Sequence, residues 1–129
     1  MGKILIVDDE PHFIRVLKLT LERAGHATDT ASNGEEALRK VMEEQPVAMI
    51  TDIKMPKMTG RQLCEAIDRQ LPDHEFPIYV TSSLAELANQ EWVKDIRNAF
   101  FLEKPVSPRH LITLLETAIP STKRKNEAK

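Results

Sequence analysis

The chain has one cysteine, Cys64, among its 129 residues, which excludes an intramolecular disulfide and any zinc site built from several cysteines. Cys64 lies in a helical-looking segment beside Leu63 and Ile67, so it reads as a buried, inert thiol. Missing too is any apolar run near the roughly 18 residues that span a membrane. No leader-like segment precedes the first strand-like stretch, so a cytoplasmic location without membrane insertion is the default expectation. Repeats, linkers and low-complexity segments are absent, and the length suits one domain with one substantial core. The four histidines, His12, His26, His74 and His110, are dispersed in no metal-binding pattern and are expected at the surface.

Positive charge is scarce over most of the chain. Residues 1–120 carry 14 basic against 19 acidic groups, a net charge of −5, so direct nucleic-acid binding is not expected. From Ser121 onward, Lys123, Arg124, Lys125 and Lys129 face only Glu127, a net +3 in what reads as a short, solvated tail.

What the chain does have is a regular alternation of strand-like and helix-like patterns. Apolar, β-branched segments occur at Lys3 to Val7, Val47 to Thr51 and Pro77 to Thr81, with weaker ones at Ala27 to Ala31 and Ala99 to Leu102. Between them lie segments of helical period. Phe13, Leu17 and Leu21 recur every fourth residue, with Ile14 and Ala24 widening the face. Ala37, Leu38, Val41 and Met42 form a second stripe, behind Ser32 or Asn33 as N-cap and with Glu35 and Glu36 in the first turn. A third helix is expected from Thr59 or Gly60 to about Leu71, and a fourth from Leu84 to Arg97. A fifth opens at Ser107-Pro108 and ends before Pro120. This order implies βαβ units and a parallel sheet covered on both faces. The runs "ILIV" and "VAMI" are apolar on both faces, as central parallel strands are.

In open sheets of this kind, ligands bind beyond the carboxyl ends of the strands. The residues there are unusually polar. The first strand runs into Asp8 and Asp9, the third into Asp52, the fourth into Thr81, Ser82 and Ser83, and the fifth into Glu103, Lys104 and Pro105. Each alone has an ordinary explanation as a helix cap, turn acid or surface lysine. Together they place carboxylates, a hydroxyl and a lysine at one edge. Carboxylates about 5 Å apart repel by about 3 kcal/mol per pair at an effective dielectric near 20, so such a cluster raises a pKa or holds a cation. Oxygen ligands without His or Cys suit a hard ion, and magnesium fits best. With lysine and hydroxyl placed to hold an anion against the metal, these are parts for phosphoryl transfer.

The motifs resemble those of the receiver domain of the two-component response-regulator family over nearly the whole chain, from Gly2 to Ile119. "ILIVDDE" resembles its opening strand and acid pair, "DIKMPKMTG" its phosphoacceptor segment, "ASNGEEAL" its second-helix entry and "LEKP" its lysine turn. The resemblance implies an α/β, flavodoxin-like, doubly wound sheet of five parallel strands in the order 2-1-3-4-5 with five helices. It implies a receiver domain over residues 1–120 and a flexible basic tail over 121–129. It further implies that Asp52 accepts a phosphoryl group from a histidine kinase or histidine phosphotransfer protein. Mg2+ would be held by Asp9, Asp52 and the backbone carbonyl of Lys54, with Asp8 acting through water. Lys104 would bind the phosphoryl oxygens together with Ser82, which is favoured over Thr81 because it lies 22 residues before Lys104. Ser82 and Phe101 would form the switch pair, and the Lys104-Pro105 bond would be cis.

Two departures stand out. "RNAFF" replaces the small pair expected before the last strand and lacks the acids expected after it. The usual output face, formed by helix 4, strand 5 and helix 5, is therefore expected to be unusually apolar or differently packed. Trp92, on the same helix, reads either as core or as an exposed partner anchor. Lys54 puts a cation two residues past the acceptor, where it is expected to alter phosphoryl lifetime. The leading reading is a phosphorylation-switched binding module and not an enzyme, beyond catalysing its own phosphorylation and dephosphorylation. An alternative is a Mg2+-dependent aspartate-nucleophile phosphohydrolase. It is disfavoured because the acids of such enzymes bracket one residue on a single loop, whereas Asp8-Asp9 and Asp52 come from different strands. A pseudo-receiver scaffold is a third reading, against which the retained acids and lysine argue. With no room for an output domain after Ile119, the chain reads as a stand-alone receiver or a part of a larger regulator.

Overall fold

A computed structural model describes residues 2–83 and 91–118. Five parallel strands, β1 (Ile4–Val7), β2 (Thr28–Ala31), β3 (Ala48–Asp52), β4 (Ile78–Ser82) and β5 (Ala99–Glu103), form one sheet in the order β2-β1-β3-β4-β5. Four α-helices lie among the described residues: α1 (Pro11–Arg23), α2 (Gly34–Glu43), α3 (Gly60–Gln70) and α4 (Pro108–Ala118). The expected fold and strand order are observed. The helix expected from Leu84 to Arg97 falls partly outside the described residues, and within them Glu91–Asp95 is a 3-10 helix.

Strand side chains alternate between faces, and here both faces are buried. Leu5, Val7, Met49, Ile78 and Val80 pack with Ala37 and Val41 of α2 and Leu63, Cys64 and Ile67 of α3. Ile4, Ile6, Ala48, Ile50 and Tyr79 pack on the other face with Leu17 and Leu21 of α1 and Leu111 and Leu115 of α4. That division explains the runs with no polar side. The edge strands are less buried: β2 is polar, and β5 exposes Phe100, which stacks on Tyr79 with ring centroids 5.7 Å apart.

Local chemistry sets the helix starts. Asn33 caps α2, accepting from the Glu36 amide at 2.8 Å, while Ser32 turns its amide and hydroxyl to the Glu36 carboxylate. Thr59 and Gln62 form a reciprocal capping box at α3. Ser107 accepts from the His110 amide ahead of Pro108 in α4.

Several placements differ from those expected. Met42 is 45 % exposed, because the buried stripe of α2 narrows to Ala37 and Val41 with Leu38 at its margin. His26 and His74 are buried and not at the surface, whereas His12 and His110 are exposed. His74 faces Asp68 and the Phe76 carbonyl, whereas His26 Nε2 lies 3.9 Å from Glu116, too far for a hydrogen bond. Trp92 packs in the core with the Arg61 guanidinium 5.9 Å from its ring centroid. Cys64 is fully buried, and burial pushes its thiol up to about 12.

Candidate functional site

The carboxyl ends of β1, β3 and β5 deliver three acids and a lysine to one place. Asp8 follows β1 directly, and its amide donates to the Ala31 carbonyl at 3.1 Å, which extends the β1–β2 pairing by one step. Its Oδ1 accepts from the Glu10 amide at 3.0 Å, a turn that leads into Pro11 at the start of α1. Its Oδ2 is buried and has no hydrogen bond. Asp9 beside it is exposed. Asp52 ends β3, and its Oδ1 accepts from the Ile53 amide at 2.8 Å. Oxygens of Asp8, Asp9 and Asp52 all lie within 4.8 Å of one another. The Lys104 Nζ sits 3.3 Å from Asp52 Oδ2 and 3.6 Å from Asp8 Oδ2.

The hydroxyls behave differently from each other. Thr81, opposite Asp52 in the register, donates to the Thr51 carbonyl at 3.3 Å and is committed to the sheet. Ser82 is the last residue of β4 and is buried, and its carbonyl accepts from the Lys104 amide at 2.7 Å. That bond ties the lysine backbone to the strand end next to Asp52. The Lys104-Pro105 peptide is cis. Phe101 is half-buried against the core on the α3 face, while Phe100 points outward.

The loop after Asp52 is held tightly. The Gly60 amide donates to the Ile53 carbonyl at 2.7 Å, and a Cβ on Gly60 would collide with the Asp52 carbonyl oxygen. Only glycine admits this approach of α3 to the end of β3. Lys57 takes a left-handed φ of 70°, and Lys54 is exposed on the same loop.

Charge and burial oppose one another here. Burial pushes the Asp8 carboxyl above its usual range, and Asp52 and Asp9 add to that, against the Glu10 amide and the Lys104 charge. Burial also works against the Lys104 ammonium, but Asp52 and Asp8 outweigh it and hold its pKa above the ordinary lysine value. The donor set consists of oxygen alone, one of its atoms is buried without a hydrogen-bond donor, and neither His nor Cys belongs to it. Such residues fit a small, hard divalent cation.

Two contributors have roles that the sequence does not spell out. Gly60 closes the "DIKMPKMTG" segment without showing why glycine is needed, and Phe13 reads only as part of the α1 apolar stripe. The Phe13 ring nevertheless lies 5.4 Å from the Lys104 Nζ.

This geometry has counterparts among known proteins. The response regulator receiver domain family matches residues 4–116. The alkaline phosphatase synthesis transcriptional regulatory protein PhoP of Bacillus subtilis is 33 % identical over 132 residues, covering 97 % of this chain and 54 % of that protein. The transcriptional regulatory protein ResD of the same organism is 34 % identical, over 85 % of this chain and 45 % of its own. A response regulator receiver domain protein from Clostridium thermocellum superimposes with a TM-score of 0.82 at 31 % identity, covering 95 % of this chain and 98 % of that one. The chemotaxis response regulator CheY4 of Vibrio cholerae does so with a TM-score of 0.80 at 32 % identity, over 92 % and 99 %. The chain belongs to the receiver-domain family of two-component response regulators. It spans about half the length of the curated relatives it matches. No helix among the described residues is long and apolar enough to cross a membrane.

Proposed function

We propose that this domain is phosphorylated on Asp52 by a histidine kinase or histidine phosphotransfer protein and thereby switches a partner-binding surface. The observation that carries this reading is the Lys104 ammonium 3.3 Å from Asp52 within a cluster of three acids at one sheet edge. An Asp52 carboxylate oxygen attacks phosphorus as the bond to the donor's ring nitrogen breaks, and the bonding electron pair leaves with that nitrogen. Lys104 holds the phosphoryl oxygens by charge, and the Ser82 hydroxyl donates to one of them. Asp9, Asp52 and the Lys54 carbonyl would hold Mg2+, with Asp8 acting through water. When bound, the ion neutralises charge on the acids and on the incoming phosphoryl group. Movement of Ser82 toward the phosphoryl group frees space for the Phe101 ring, and the face built on β5 and α4 carries the change to a partner. Exposed Phe100 gives that face an apolar element.

In this reading residues 1–120 are the receiver and 121–129 its basic tail, the domain works in the cytoplasm, and it touches neither nucleic acid nor membrane itself. Mass measurement after incubation with phosphoramidate and Mg2+ tests the assignment. Wild type gains one phosphoryl group and Asp52→Ala gains none. Equal uptake by Asp52→Ala would sink the choice of nucleophile.

A further inference from the structure

Lys104 carries the positive charge of the site on a flexible stem, and its neighbours include more than acids. The stem has four rotatable carbons, and the ammonium is only partly shielded from water. Asp52 and Asp8 approach it at 3.3 and 3.6 Å. Both are also members of the oxygen cluster that fits a cation, so a bound ion competes with Lys104 for the same carboxylates. A holder that is neutral escapes that competition. The Phe13 ring supplies one, with its centroid 5.4 Å from Nζ, inside the range over which an aromatic face attracts an ammonium. Phe13 is itself fixed: Pro11 starts α1 two residues earlier, and the Phe13 side chain packs against the core on the α1 and α4 face.

We infer that Phe13 is a positioning residue that keeps the Lys104 ammonium poised over the acid cluster by cation–π attraction while the carboxylates engage other charges. The inference rests on the reading of Lys104 as the group that binds the phosphoryl oxygens. Its reach is modest, because an attraction of this kind changes a rate by about two- to tenfold. Packing alone would make any bulky apolar side chain at position 13 serve equally well. The aromatic face makes a different demand, since tyrosine substitutes for phenylalanine and leucine does not.

The experiment has a spectroscopic arm and a kinetic arm, both on the whole chain. In metal-free buffer the ε-methylene protons of Lys104 are expected upfield of those of exposed lysines, through the ring current of Phe13. The shift persists with saturating Mg2+ and disappears in Phe13→Leu. With phosphoramidate and Mg2+, Phe13→Leu is phosphorylated about threefold more slowly than wild type, and Phe13→Tyr recovers the wild-type rate. In a Lys104→Ala background, Phe13→Leu has no further effect. Unshifted ε-methylene protons, or equal slowing by Phe13→Leu and Phe13→Tyr, would overturn the inference. So would a wild-type rate for Phe13→Leu when Lys104→Ala is slow, which leaves the role of Lys104 standing. A wild-type rate for Lys104→Ala would instead remove the reading on which the inference rests.

Discussion

Around His74, at the amino end of the sheet, each buried polar group has a polar partner within hydrogen-bonding distance; around Asp8, at the carboxyl end, one oxygen has no hydrogen bond. His74 Nδ1 faces the Phe76 carbonyl at 3.2 Å and Nε2 faces Asp68 Oδ1 at 3.1 Å. The two Asp68 oxygens accept from the Arg97 amide at 3.3 and 3.1 Å, and the Arg97 Nε donates to the His74 carbonyl at 2.6 Å. Asn98 closes the set with a 2.8 Å bond to the Glu75 carbonyl. This closed network fastens the end of α3 to the segments that lead into β4 and β5. At the other end, Asp8 Oδ2 is buried without a hydrogen bond, and Lys104 stands over 3 Å from each acid. A polar network whose groups all have partners adds rigidity and offers little to a ligand. An unsaturated one costs stability and keeps valence in reserve.

Breaking the closed end gives the largest expected loss of stability. His74→Ala removes a buried ring together with its contacts to Asp68 and the Phe76 carbonyl, so urea unfolding at neutral pH is expected to show a loss of about 3 kcal/mol. A loss below about 1 kcal/mol would mean that the network is dispensable. Phosphorylation of the folded fraction is expected to be unchanged, because Asp52 is at the opposite edge.

The open end is expected to respond with the opposite sign. Asp8→Asn, in the presence of a chelator, removes a buried charge that has neighbouring acids, and a gain of about 1 kcal/mol is expected. The pH dependence follows from the raised pKa of Asp8. The folded protein holds the Asp8 proton more tightly than the unfolded chain, so wild-type stability in chelator falls as pH rises from the ordinary aspartate value through the folded one. The contribution of this group is therefore recovered on acidification, and Asp8→Asn flattens that part of the profile. Mg2+ stabilises wild type more than it stabilises Asp8→Asn. Identical pH profiles for the two proteins would show that Asp8 carries no such strain.

The smallest effect belongs to Lys54. Its side chain is exposed, and solvent screens its charge, so Lys54→Ala is expected to change the dephosphorylation rate by about twofold. Rates that agree within error would remove Lys54 from any role in phosphoryl lifetime.

Much of the frame was legible in residue order. The doubly apolar runs "ILIV" and "VAMI" announced central parallel strands, because a strand buried on both faces has no polar side to show. Ser32 or Asn33, Thr59 or Gly60, and Ser107 marked helix starts in the sequence, and the bonds made by the Asn33, Thr59 and Ser107 side chains settled which residue caps each helix. Thr81 and Ser82 could be ranked only through the family resemblance, and their different surroundings became visible only in the sheet. His26 and His74 were misplaced at the surface because a histidine's burial depends on partners distant in sequence. Arg97, for example, meets His74 from 23 residues away. Met42 failed for a simpler reason: one residue past Val41, a helix has already turned toward solvent.

The sequence by itself determined the alternation of elements, the two-faced core and the identity of the acids and lysine that end the strands. These follow from period, burial and turn chemistry, which act over a few residues. The tertiary structure decided which buried groups are closed into bonds and which are left open. It alone brought Gly60 against the Asp52 carbonyl and the Phe13 ring to the Lys104 ammonium. Those contacts depend on packing α3 and α1 beside strands formed far away in the chain, and no local pattern of residue types encodes a distance across a fold.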